Sequence, residues 1–242
     1  MKTADNQVMP MMPLRGMLVF PNLMVHLDAG RDRSINAIEE SLTEEENLIF
    51  LSMQKDAVTD EPELDDIYQI GTVAQIRQML KLPGGTVRLL VEGKYRAKMI
   101  KVVQEQPYIL AEIIPLAEEF GVQPLELEAL VRILHHNFAE YAEQSKRISP
   151  EVLITIENLE EGDKLSDLVT SQLNISQSEK QALLEELSVP QRIEKIINIL
   201  YNEMEILKIE RNIAMKVRGQ VEKNQKEYYL REQLKAIREE LG

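Results

Sequence analysis

Residues 81–90, "KLPGGTVRLL", decide how the first half of this chain folds. Pro83 fixes one backbone dihedral, and Gly84 and Gly85 have free access to positive φ. They stand between the strand-like runs "IYQIGTVAQIRQMLKL" and "TVRLLVEG", so the stretch reads as the tip of a β-hairpin. Working outward, short Val-, Ile- and Leu-rich segments punctuated by Pro, Gly, Asn and Asp fill residues 13–116: "PLRGMLVFPNLMVHLDAG", "NLIFLSMQ", "YRAKMIKVV" and "YILAEIIPL". One helix interrupts them, where "GRDRSINAIEESL" sets Ile35, Ile38 and Leu42 at helical spacing. Residues 1–12 read as a flexible start.

After residue 116 the period changes. "QPLELEALVRILHHNFAEYAEQS" repeats apolar residues at Leu127, Leu130, Leu134, Phe138 and Tyr141, a helical stripe with an acidic opposite face. Ser149 before Pro150 starts the next helix, Asp163 leads a third in "GDKLSDLVTSQL", and Ser176 with Glu179 makes a capping box for a fourth. Residues 117–190 thus read as a helical bundle. Ser188 with Gln191 reads as another capping box, and from residue 191 to the end only Gly219 disfavours helix. The apolar stripe is regular at Ile193, Ile197, Leu200, Met204 and Leu207. It then thins to Ala214, Val221 and Tyr228, a seam too sparse for a tight coiled coil, so this part is expected to be exposed and bent near Gly219. The stripe resumes in another phase at Leu230, Leu234, Ile237 and Leu241. The fold class is therefore α+β: a mostly antiparallel β domain with one helix, then a bundle ending in a very long helix.

Composition narrows the function. With 28 Lys+Arg against 41 Asp+Glu the net charge is −13, which argues against phosphate backbones and anionic lipid as partners. There is no cysteine, hence no disulfide and no thiolate chemistry. The opening residues lack a secretory pattern, no apolar run is long enough to span a bilayer, and the chain reads as cytoplasmic.

A search for chemistry finds little. Gly93 and Lys94 are not followed by Ser or Thr and lack the earlier glycine of a phosphate loop. His26, adjacent His135 and His136, and the acidic runs at residues 44–47, 60–66 and 158–163 have neither zinc nor calcium spacing. One of the adjacent histidines is expected half-buried and the other solvated. Ser52 and Lys55 read as a solvated strand end. No catalytic, cofactor-binding or metal-binding residue is assigned. Eight methionines, Met9, Met11, Met12, Met17, Met24, Met53, Met79 and Met99, gather in the β half. They read first as core filling, and second as an adaptable surface for apolar segments.

Three blocks carry a family resemblance. "MPLRGMLVFPNLMVHLDAGRDRSINAIEESL" resembles the opening of the N-terminal domain of Lon proteases, with its "LPLRDVVVFP", extended segment, "GR" and "SIxAIE" helix. "IGTVAQIRQMLKLPGGTVRLLVEGKYRAKM" is similar to that family's next block, and "QKEYYLREQLKAIREELG" to the helix that joins the domain to its ATPase module. The resemblance implies the front end of a hexameric, cytoplasmic, ATP-dependent protease of damaged and short-lived regulatory proteins. The ATP and magnesium site and the serine–lysine dyad would lie downstream. It implies unfolded or degron-bearing proteins and further copies of the chain as partners, with the fragment itself able to dimerise. Met79, Leu82 and Pro83 at the hairpin are the candidate substrate contacts, and Leu230, Leu234, Ile237 and Leu241 the candidate inter-module or self-association contacts. A stand-alone domain of this type acting as a protein-binding adaptor is the alternative, against which the long connector helix weighs.

Overall fold

The computed structural model describes residues 6–59 and 62–242. Six strands, β1 (Gln7–Leu14), β2 (Met24–Ala29), β3 (Leu48–Met53), β4 (Ile70–Lys81), β5 (Val87–Gln104) and β6 (Ile109–Pro115), are joined in the order β2-β5-β4-β3-β1-β6. A further pairing between β5 and β6 closes β1, β3, β4, β5 and β6 into a small barrel and leaves β2 outside it. Only β1 and β3 run parallel. The central strands are apolar on both faces because both are covered. One face packs on α1 (Asp32–Ser41) through Ala37 and Ile38, and the other is enclosed with β6, where Met11, Phe50 and Val73 meet Ile109 and Ile113.

Two expectations in this half are corrected. The flexible start does not extend to residue 12: residues 1–5 lie outside those described, but Gln7 to Met11 pair with Ile113 to Ile109, and Met9 and Met11 are buried. "TVRLLVEG" and "YRAKMIKVV" are one 18-residue strand, β5, not two. Gly93 marks a close approach inside it. The chain crosses over it at Phe20 and Pro21, and a Cβ there would run into the Phe20 carbonyl oxygen. The register shift after Val73 bends the ladder beside this crossing.

The helices follow: α2 (Pro124–Ser145), α3 (Pro150–Glu157), α4 (Gly162–Gln172), α5 (Gln177–Glu185) and α6 (Val189–Leu241). Ser149 caps α3 by accepting from Val152 N, and the Ser176–Glu179 capping box of α5 is complete. Asp163 is not the cap of α4, since Glu161 holds that position and Gly162 opens the helix. A side chain on Gly162 would press on Ile193, Val131 and Leu127, so glycine lets α4 start against α2 and α6. The capping box expected at Ser188 does not form. There the chain is held instead by Val189 N donating to Glu119 O and Glu119 N donating to Leu187 O, both 2.9 Å. Leu134, Phe138, Leu165, Val169, Ile193, Ile196 and Leu200 form the bundle core. Helix α6 has 53 residues, about 80 Å at 1.5 Å per residue, and is continuous through Gly219.

Candidate functional site

The β4–β5 hairpin closes as its residues demand, with Leu82 N donating to Thr86 O at 2.8 Å and Gly84 and Gly85 at φ +94° and +87°. Cation and carboxylate pairs hold the ribbon: Arg77 with Glu92, Lys81 with Glu39 of α1, and a bidentate Arg88–Asp28 pair across β2. The structure brings Met79, Leu82 and Pro83 to one end of this ribbon in different environments. Met79 pairs in register with buried Leu89 and packs on the core beside α1; Leu82 is half-buried; Pro83 is exposed. Leu80, on the opposite face, is a large apolar side chain exposed near the hairpin tip, and sequence reasoning missed it. Its strand neighbours Met79 and Lys81 are the signal that could have found it, because strand alternation sends Leu80 the other way.

Methionine is mostly spent on the core. Met9, Met11, Met12, Met53 and Met99 are buried, Met17 and Met79 half-buried, and Met24 alone of the eight is exposed.

Two cavities flank the start of α1. One, of about 510 Å³, lies between Met11, Pro13, Asn36, Pro107 and Ile109. The other, of about 380 Å³, is lined by residues 12–15 of β1 and its exit, residues 27–31 of β2 and its exit, Met17 and Ser34. The cations beside them are engaged: Arg31 donates to Gln54 Oε1 at 2.7 Å and Arg33 to Glu105 O at 2.9 Å.

Barrel and bundle meet at a buried charge cluster invisible to motif reasoning. Arg96 of β5 donates to Asp167 of α4 with both terminal nitrogens, to Glu118 Oε1 at 2.8 Å and to Leu184 O at 2.9 Å. Arg192 of α6 donates to Ser166 Oγ at 2.9 Å, to Glu186 O at 2.9 Å and to Glu118 Oε1 at 2.6 Å. The side chains of Arg96, Asp167 and Arg192 are at most 1% exposed. Burial pushes the Asp167 carboxyl upward, while the charge and hydrogen bonds of Arg96, then Arg192, pull it down. A planar guanidinium with several fixed donors suits such a junction. Gln181 Nε2 adds a bond to Ile70 O at 2.9 Å.

On α6 every residue from Lys208 onward is exposed. Two apolar stripes stand there. Ile206, Ile209, Ile213, Val217 and Val221 are spaced by 3, 4, 4 and 4 residues and form a row apart from the sparse one through Leu207 and Ala214, which the sequence reading did not pick out. Leu230, Leu234, Ile237 and Leu241 form the second, also exposed. Leu230 follows Val221 by nine residues, a turn of roughly 180° at about 100° per residue, so the stripes face different ways.

Elsewhere the polar candidates have structural partners. Ser52 is buried, not solvated, and donates to Tyr68 O at 2.5 Å; Lys55 donates to Asp65 O at 2.7 Å. His135 is half-buried with Nε2 3.1 Å from Leu159 O, and His136 is exposed. Of the acidic run at 60–66, Asp60 and Glu61 lie outside the described residues, and Leu64–Asp66 form a 3-10 turn. Among the described residues no three His, Asp or Glu side chains are placed to hold a metal, and no helix is long and apolar enough to cross a membrane.

Comparison with known proteins bears on this geometry. Residues 8–202 match the family model described as the ATP-dependent protease La (LON) substrate-binding domain. The chain is 48% identical over 245 residues to Lon protease of Syntrophomonas wolfei subsp. wolfei, covering 100% of this chain and 30% of the relative. It is 43% identical over 233 residues to Lon protease 1 of Bacillus subtilis, covering 96% of this chain and 30% of that one. The chain therefore spans about 30% of the length of these relatives. In fold it is similar to the N-terminal domain of Mycobacterium avium complex Lon protease, with a TM-score of 0.65 at 20% identity over 81% of this chain and 98% of that one. It is also similar to a Lon N-terminal domain protein from Xanthomonas campestris, with a TM-score of 0.55 at 15% identity over 79% and 98%.

Proposed function

Because the chain belongs to the Lon protease family, which it matches through the family's substrate-binding domain, we propose that it is the substrate-engaging, assembly-supporting N-terminal region of an ATP-dependent serine protease. The longer protein would work in the cytoplasm as a hexamer on damaged, misfolded and some short-lived regulatory proteins. Its ATP, magnesium and serine–lysine chemistry would belong to the parts of the relatives that this chain does not span.

The observation that carries the reading is the match over residues 8–202, which takes in barrel and bundle together. The physics is compatible with it. A capture surface must offer apolar contacts at the end of a framework that does not yield, and Leu82 and Pro83 sit on a ribbon braced by ion pairs. The charge cluster around Arg96 then links the barrel to α6. The distal stripe at Leu230, Leu234, Ile237 and Leu241 would meet a neighbouring module or a second copy of the chain.

The test is saturable binding of reduced, carboxymethylated α-lactalbumin to the purified chain. Replacing Leu82→Ser is expected to weaken it by about 1 kcal/mol, roughly fivefold. Equal binding by the variant removes the hairpin tip from the site, and no binding by either chain rejects substrate engagement by this region alone.

A further inference from the structure

We propose that the seam between β1 and β2 takes an extended apolar segment of a client polypeptide by strand addition to the free edge of β2. This rests on the substrate-engaging reading above and names the mode of capture.

Among the described residues β2 pairs with β5 alone. Gly93 N donates to Leu23 O at 2.9 Å, which fixes the alternation: Val25, Leu27 and Ala29 bond toward β5, and the amides and carbonyls of Met24, His26 and Asp28 face outward. Across the seam, Gln54 N donates to Leu14 O at 2.8 Å, so the neighbouring Pro13 turns its carbonyl away from β3. Strand β6 does not reach it, since its pairing with β1 ends at Met11 opposite Ile109. Among the described residues, the outward edge of β2 and the far edge of β1 beyond Met11 are thus left without a strand partner. The 380 Å³ cavity lies between them: its walls include residues 12–15 and 27–31, with Met17 and Ser34.

The chemistry of the walls selects the occupant. Alternating outward N–H and C=O groups at strand spacing are satisfied together by an extended main chain, whatever its sequence. Exposed edges are usually blunted by proline, a bulge or unpaired charge. β2 has neither proline nor a register shift, and its Asp28 carboxylate is held by Arg88. On its core side the cavity is floored by the buried Met12, Leu14, Leu27 and Ala29 and by half-buried Met17, while Arg15, Asp28 and Arg31 line its polar side. Pro13 has no N–H, so an added strand bonds to β2 while β1 serves as a wall. Six residues of β2 span about 20 Å, which suits a segment of five or six residues.

The experiment uses the 242-residue chain and a fluorescein-labelled peptide of about ten alternating leucines and threonines, read by anisotropy. N-methylating alternate peptide residues in one register is expected to weaken binding about tenfold, and in the other register much less. The variant His26→Pro blocks an outward amide that takes no part in the β5 ladder, and is expected to lose about tenfold with unchanged circular dichroism. Should it misfold, the methylated peptides decide the matter on the unaltered chain. Equal affinity for both methylated registers overturns strand addition. If the chain still binds reduced, carboxymethylated α-lactalbumin in that case, the substrate-engaging reading stands without it. If it binds neither probe, both readings fall.

Discussion

At the residue scale the most consequential side chain is Arg96. It is fully buried, yet polar partners from the bundle and its connector surround its guanidinium. An ion pair in such a place adds little over well-packed apolar groups, but breaking it from one side leaves an uncompensated charge. Arg96→Met is therefore expected to destabilise the chain by about 3–5 kcal/mol in denaturant unfolding. In that variant Asp167 keeps its burial and loses its main counter-charge, so its carboxyl titrates still further above the ordinary aspartate range. A carboxyl raised in the folded state favours folding below its unfolded value and costs stability as pH climbs through the folded one. The deficit of Arg96→Met relative to the unaltered chain should thus be smaller near about pH 4 than near about pH 8, and a pH-independent deficit would show that Asp167 is not the charge left behind. None of this was legible in the sequence. Arg96, Glu118, Asp167 and Arg192 are each 22 or more residues from the next, and nothing local distinguishes them from solvated charges.

At the element scale, legibility tracked how local the determining physics is. The hairpin at Pro83–Gly84–Gly85, the Ser149 cap and the Ser176–Glu179 box all formed, because turn and cap chemistry acts within four residues. Gly93 misled because its role is set by Phe20, more than seventy residues earlier in the chain. Ser188 misled because a backbone bond to Glu119 fixes the helix start that its hydroxyl would otherwise cap. Of the candidate contacts, Leu82 and Pro83 are at least partly accessible, while Met79 turns inward with the alternation of β4. The long helix gives a cleaner test of local propensity. Gly219 lies in its exposed stretch, and no neighbouring group comes within 4 Å of where a Cβ would stand, so a methyl group there meets only water. Gly219→Ala should stabilise the surrounding helix by about 1 kcal/mol. Thermal loss of helical ellipticity from the distal segment would then begin at a higher temperature than in the unaltered chain; no shift would mean that this segment is not helical in solution.

At the scale of the whole molecule, the chain divides into a part that buries apolar surface and a part that does not. Barrel and bundle have cores of their own and are joined by buried arginines, whereas residues 208–242 bury no side chain. A single helix in water is marginal even over several turns, since its stability in proteins comes mainly from packing an apolar face. Two stripes pointing in different directions cannot both be covered by folding back on one surface. Heating should consequently give two events: an early, broad loss of helical ellipticity from the distal part of α6, and a later cooperative unfolding of barrel and bundle. A chain ended after Leu207 should lack the first event and keep the second within about 2 °C, a shift that for a unit of this size corresponds to less than about 1 kcal/mol. A large fall in the cooperative transition on shortening would mean that α6 supports the folded unit through association between chains, and the transition temperature of the 242-residue chain would then rise with protein concentration.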